Sequence, residues 1–377
     1  MDENRVISNF LIRKNKGLFI EPLEILCSES IITEINRRVN IESINNGVII
    51  PAFFNIHSHL GESVFRHIDG EDWNITKYIE YTEKYNAKLD KEQRIASWME
   101  SARYSAEKMY LHGTLGFCAA RSAGIASDYS LLTMSGYPIM NSCKLVEYKD
   151  SGVLGFQSYY NKYKSDTNKI GVFLHSIYAN DLESFVLAHE CMNNGAEFIS
   201  VHVAEDLYTS ELERKKHGMS AISLLQQYGL LSERTIIVHA GYCSDDDLLM
   251  IKKSGATISV CPISNEFLNT RMVDLYKLEE MNIPWCIATD GLGTGRTFSL
   301  LEQIKVARKI YPQISMSKYW ESVTSIPARC FENGLYKGNV ELGARSVFLK
   351  TEYQGTNVNE LIEGLIEGEI GFKPVKM

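Results

Sequence analysis

The sequence predicts an α/β protein whose main body is a (β/α)8 barrel, and three observations predict it. From about Gly47 onward, short apolar strands alternate with helical segments. No glycine-rich phosphate loop opens the early strand–helix junctions, as a doubly wound nucleotide-binding sheet would require. Polar residues able to do chemistry stand at the ends of five separate strands, which is how a barrel builds a site from many loops.

The first fifty residues have a different texture. Val6–Arg13, Leu18–Ile25 and Ile31–Ile35 read as strands, broken by Lys16-Gly17 and by the polar turn Asn45-Asn46-Gly47. They predict a small β-rich piece. Val48–Phe54 then reads as the first barrel strand. Lys91–His112 is a helix by the spacing of its apolar residues, stopped at Gly113. The order continues as strand Ile170–Leu174, helix Asp181–Asn194, strand Phe198–Val203 and helix Ser220–Tyr228. Strand Thr235–His239, helix Ser244–Ser254, strand Thr257–Cys261, a helix around Leu275–Met281 and strand Pro284–Thr289 complete it. Strands that are apolar throughout are those of a parallel sheet covered by helices. Asn357–Glu367, near the end, reads as a helix.

The composition suits this picture. The chain has 377 residues, 45% hydrophobic and 23% charged, enough for a large core in a soluble globular protein. A net charge of −8 argues against nucleic acid or an anionic membrane as partner, since both need a basic face. No apolar run is long enough to span a bilayer, and Met1–Gly17 does not read as a secretory signal. The cytoplasm is therefore the expected compartment. The eight cysteines, Cys143 among them, are scattered singly without a C-x-x-C pair and read as reduced core thiols.

The strand ends carry the functional argument. His57 and His59 follow the first barrel strand, and His175 follows Ile170–Leu174. His202 and Glu205 lie in and after Phe198–Val203, His239 ends the next strand, and Asp290 follows the last. Five of the nine histidines thus fall at strand ends. A lone histidine there is more often structural than a ligand, but coincidence over five strands is a poor explanation. Residues two apart on a strand point the same way, so His57 and His59 can face one ion. With His202 and Asp290 they offer three nitrogens and one oxygen, a donor set that suits zinc, with iron also compatible. One such ion per chain lowers the pKa of a bound water from about 15.7 to roughly 7. Glu205 is placed as the proton shuttle, and His239 and His175 to orient water or polarise the substrate. Arg271 and Arg296, in loops after late strands, are candidates for an anionic or carbonyl group of a substrate. Trp73, Tyr78, Tyr81 and Tyr85, in what reads as a long loop after His59, either wall a flat substrate or pack the loop.

At these residues the sequence resembles the amidohydrolase superfamily, in its aminohydrolase and chlorohydrolase branch. Ile50-Pro51-Ala52-Phe53-Phe54-Asn55-Ile56-His57-Ser58-His59 is similar to that branch's opening P-G-F-V-N-x-H-x-H, and Phe65-Arg66 and Trp73 echo the next segment of the family pattern. His175-Ser176-Ile177-Tyr178 resembles H-S-P-Y, and His202-Val203-Ala204-Glu205 matches H-x-A-E. Cys261-Pro262-Ile263-Ser264-Asn265 and Ala288-Thr289-Asp290-Gly291 resemble C-P-x-S-N and G-T-D-G. The resemblance implies a small β-sandwich formed from 1–50 and 338–377 beside a barrel over 51–337. It implies one divalent metal on His57, His59, His202 and Asp290, with Glu205, His239 and Asp290 catalytic and His175, Arg66 and Glu205 touching the substrate. No lysine stands where binuclear branches bridge two metals, so a mononuclear site is implied. A sugar-binding glutamate expected of nucleoside deaminases is out of register at Glu80 and Glu83.

The expected activity is hydrolysis of a non-peptide carbon–nitrogen bond in a small molecule, by deamination of an amino-heterocycle or amidine. Dechlorination, or work on an amide or amidine group in a specialised biosynthetic pathway, uses the same machinery. A catalytically inactive barrel scaffold is the rival from another class. The resemblance also admits a homo-oligomer.

Overall fold

The computed structural model describes residues 4–14, 17–37, 47–122, 124–125, 131–140, 152–331 and 336–375. Lys16, Asn45, Asn46 and Cys143 lie outside them. In chain order the strands are β1 (Asn4–Lys14), β2 (Gly17–Ser28), β3 (Ile31–Asn36), β4 (Val48–Pro51), β5 (Phe53–Ser58), β6 (Thr114–Ala120) and β7 (Leu132–Ile139). They continue with β8 (Asn168–Ser176), β9 (Ile199–Val203), β10 (Thr235–His239), β11 (Thr257–Val260), β12 (Trp285–Ile287), β13 (Phe348–Thr351) and β14 (Phe372–Val375).

Eight of them form one sheet in the order β12-β11-β10-β9-β8-β7-β6-β5, nearly closed as a barrel with helices between strands. The ladders from β7 through β12 are parallel, with Val238 level with His202 and Ser259, and Val260 with Ile287. The other six make a second sheet, β14-β13-β4-β1-β2-β3. By compactness the chain divides into residues 1–55, 109–116 and 299–377, and residues 56–108 and 117–298.

The predicted single strand Val48–Phe54 is two strands in two sheets. β4 pairs with β1 and β13, whereas β5, starting after Ala52, belongs to the barrel. Every residue of both strands is buried, so no alternation of polar and apolar residues marks the break. Phe54, at the start of β5, packs on Phe331 and Tyr336 with ring centroids 5.6 Å away. Gly116 makes a close approach to Phe54 possible, because a Cβ there would meet its ring at 2.3 Å. The chain so anchored delivers His57 from the far end of the same strand.

The helices from Asp181 onward lie where their caps place them. Asp181, Ser220 and Ser244 each accept a backbone N–H of the first turn, and Gly255 closes the Asp245–Ser254 helix in the left-handed region. The segment after His59 is not all loop. It contains the helix α1 (Ile75–Asn86), capped by the Asn74 side chain, and the longer α2 (Lys91–Leu111) comes next. Tyr78, Tyr81 and Tyr85, three and four residues apart, carry that helical signal. Between His112 and Ile170 the chain also forms β6, β7 and the helix Val153–Tyr163. Among the described residues, no helix is long and apolar enough to cross a membrane.

Candidate metal centre and active site

The histidine, Glu205 and Asp290 candidates leave the barrel at the carboxyl ends of strands, and the backbone bends sharply to aim several of them. Arg121 after β6, Ala204 after β9, His239 and Ala240 at the end of β10, and Asp290 after β12 all have φ between +47° and +70°. That region is costly for residues other than glycine, of order 1–3 kcal/mol each. Its recurrence at four strand ends of one barrel marks a place where side-chain direction outweighs backbone comfort.

Four of these groups converge. His59 Nε2 lies 3.1 Å from His202 Nε2, which lies 3.2 Å from His57 Nε2. Asp290 Oδ1 is 3.4 Å from His57 Nε2 and 3.3 Å from His59 Nε2. All four donor atoms fall within 4.8 Å of one another. Two of them are fixed from outside the cluster. The His202 Nδ1 lies against the His175 carbonyl, an acceptor only, so it carries the proton and turns the Nε2 lone pair inward. Asp290 Oδ2 accepts the hydroxyls of Ser264 at 2.6 Å and Thr294 at 2.9 Å, which leaves Oδ1 for the centre.

The electrostatics agree. Burial holds the His57 and His202 rings below the ordinary histidine range, so they are neutral. Burial alone would raise Asp290, but its bond to His57 and the neighbouring rings outweigh that and hold it well below the carboxylate range. Neutral imidazoles and an ionised carboxylate are the protonation states that bind metal. Ligands about 2.0–2.1 Å from one shared ion stand roughly 3–4 Å apart, as these four pairs do. The residues present therefore fit a divalent ion.

Glu205 and His239 stand beside this centre. His239 Nε2 is 3.4 Å from Glu205 Oε1, and the His239 ring stacks on His202 with centroids 5.5 Å apart. Burial lowers His239 to about 4. Burial raises Glu205 well above the usual carboxylate range, with Asp290 adding to the shift. His175 is lowered to about 3, again by burial and then by the rings of His59 and His57. A cavity of about 440 Å3 opens beside His59 and His175.

Other candidates are engaged elsewhere. The Arg66 guanidinium donates to the Ser63 carbonyl at 2.8 Å and lies over the Tyr104 ring. Arg271 donates to Gly241 and covers Tyr242, while Arg296 donates to Ile68 and covers Phe267. None of the three lines the cavity. The aromatic cluster mostly packs against other rings: Trp73 stacks on Phe267, and Tyr78 and Tyr85 pack edge-on against Phe65. Tyr85 also faces the cavity.

Four contributors lie beyond the sequence-based expectations. Glu62 receives the Tyr78 hydroxyl at 2.7 Å and lies 4.0 Å from His59 Nδ1. Its position three residues after His59 is a usable signal. Ser264 sits inside the Cys261–Asn265 motif, which by itself gives it no role, and Thr294 is four residues past Asp290. Glu213, on the helix Leu207–His217, is buried beneath the β9 loop, where it accepts backbone N–H groups of Tyr178 and Ala204. No pattern in the sequence distinguishes it from its exposed neighbours.

These positions can be compared with known proteins. The amidohydrolase family model matches residues 185–369. The chain is thus similar to that family over just under half of its length. It is 24% identical over 300 residues to a 5-methylthioadenosine/S-adenosylhomocysteine deaminase of Pyrococcus abyssi, covering 75% of this chain and 69% of that protein. Its fold is that of a guanine deaminase from C. acetobutylicum solved with bound guanine, with a TM-score of 0.83, 18% identity, and 97% and 96% of the two chains covered. An adenosine deaminase from Xanthomonas campestris solved with bound zinc gives a TM-score of 0.81 at 13% identity, over 96% and 88% of the chains.

The supports of the centre can be tested apart from any reaction. In a double variant Ser264→Ala, Thr294→Val, Asp290 loses both groups that orient it, and affinity for a divalent ion falls about 10–100-fold in a chelator competition. Glu213 is raised to about 8 by burial, against 4.5 when unfolded. A raised carboxylate contributes stability below the unfolded value and loses it as pH climbs through the folded one. Stability from this group therefore falls between about pH 4.5 and 8, and Glu213→Gln flattens that fall in urea unfolding measured across the range.

Proposed function

We propose that this chain is a mononuclear metal-dependent aminohydrolase, which removes an amino group from a carbon–nitrogen bond of a small heterocyclic or amidine substrate. The observation that carries the reading is the convergence of His57, His59, His202 and Asp290 beside the Glu205–His239 pair. The deaminases among its relatives support the reaction class. The zinc in one structural neighbour, together with the nitrogen-rich donor set, favours zinc over iron.

His57, His59, His202 and Asp290 would hold the ion. When bound, such an ion supplies Lewis acidity that makes water a nucleophile near neutral pH. Glu205 does the proton work. Its buried carboxyl takes up a proton readily, removes one from the attacking water and returns it to the departing nitrogen. His239, neutral and within reach of Glu205, keeps the water on the attacking side and donates to the charge that develops there. His175, also neutral at pH 7, meets the substrate as a hydrogen-bonding ring and not as a cation. The size of the cavity beside it favours a small-molecule substrate. We place the protein in the cytoplasm.

The test separates holding the ion from moving the proton. Glu205→Gln should retain about one divalent ion per chain by elemental analysis. Ammonia release from whichever aminopurine, aminopyrimidine or triazine the wild type accepts should fall about 10²–10⁴-fold. Full activity in Glu205→Gln would remove it from the mechanism.

A further inference from the structure

The charged side chains described around the cavity beside His59 and His175 are all of one sign. Lys91 and Arg94 reach it from the first turn of α2, and Arg121 reaches it from the end of β6. Among the described residues lining it, three are cationic and none is a carboxylate. For a chain with a net charge of −8, that local sign is against the average.

One of the cations is built into place. Arg121 holds φ at +58°, a conformation disfavoured for a residue with a side chain. Its guanidinium sits over the Trp98 ring, 5.1 Å from the centroid. Trp98 is seated by Gly61, where a Cβ would come within 2.5 Å of indole Cδ1, so no larger residue leaves room for the ring. The backbone strain, the stacked indole and the glycine together fix a planar fork of donors at the cavity wall. A planar fork matches the oxygens of a carboxylate or phosphate. Lys91 and Arg94 are exposed at the same wall and add attraction without fixed geometry. A volume of about 440 Å3 holds a one- or two-ring heterocycle together with a short substituent.

We propose that the substrate is anionic: its reacting ring faces His59 and His175 while a carboxylate or phosphate on it is held by Arg121, with Arg94 and Lys91 at the rim. This deepens the aminohydrolase reading and rests on it for the identity of the ring, but the anion site is tested by binding alone.

Calorimetric titration of the metal-loaded protein with two matched pairs makes the test. The pairs are adenosine with adenosine 5′-monophosphate, and 2-aminopyrimidine with 2-aminopyrimidine-5-carboxylate. In at least one pair the anionic member should bind tenfold or more tightly than its uncharged parent, and which pair does so separates phosphate from carboxylate. That advantage should shrink when salt is raised from about 50 to 500 mM. In Arg94→Gln, Arg121→Gln it should fall to less than about threefold, in protein that still takes up its ion and is therefore folded. Equal binding of both members of each pair, no binding of either anion, or an advantage that survives in the double variant overturns the proposal. Ammonia release from the same solutions reads the aminohydrolase activity separately, so loss of one conclusion does not carry the other with it.

Discussion

Holding three imidazoles and a carboxylate within 4.8 Å of one another, almost wholly out of water, is the constraint on which the rest of the structure depends. Left to themselves, such groups either protonate or separate, because a buried ionised carboxylate is costly and converging lone pairs repel. Here the surroundings refuse both. The His175 carbonyl fixes the tautomer of His202, the Ser264 and Thr294 hydroxyls occupy the outer oxygen of Asp290, and burial keeps the rings neutral. The arrangement makes chemical sense around a cation, which relieves the repulsion and satisfies the carboxylate at once.

The barrel is what makes that convergence possible. The four donors come from β5, β9 and the end of β12, no two of which are consecutive along the chain. Parallel ladders bring β9, β10, β11 and β12 into register, and their carboxyl ends face one side. The remaining adjustment is made by the backbone, through left-handed residues at Ala204, His239 and Asp290. The same device at Arg121 aims a cation at the neighbouring cavity. Under the proposed function, proton transfer and substrate charge fall to side chains aimed from different strands of one sheet.

Much of this is legible in the sequence, and for a physical reason. The candidate metal donors include three of the chain's nine histidines, and with Glu205 they stand at predictable places, namely the ends of apolar strands whose length and glycine-closed helices declare the alternating fold. The features that are not legible fall into two kinds. The break between β4 and β5 leaves no mark, because both strands are buried on every residue and only the partner sheet differs. The roles of Thr294 and Glu213 depend on which neighbour they face, which spacing along one helix or loop does not disclose. Arg66 illustrates the converse. The resemblance selects it as a substrate contact, while the structure turns its guanidinium onto Ser63 and Tyr104.

The most direct test of the central claim is X-ray absorption at the metal edge of the purified protein, after loading with zinc and removal of excess ion. The account predicts about one zinc per chain in a shell of nitrogen and oxygen only, with the outer scattering of three imidazoles, and loss of that signal in His202→Ala. Failure to retain zinc after loading, or a shell containing sulfur, would contradict it.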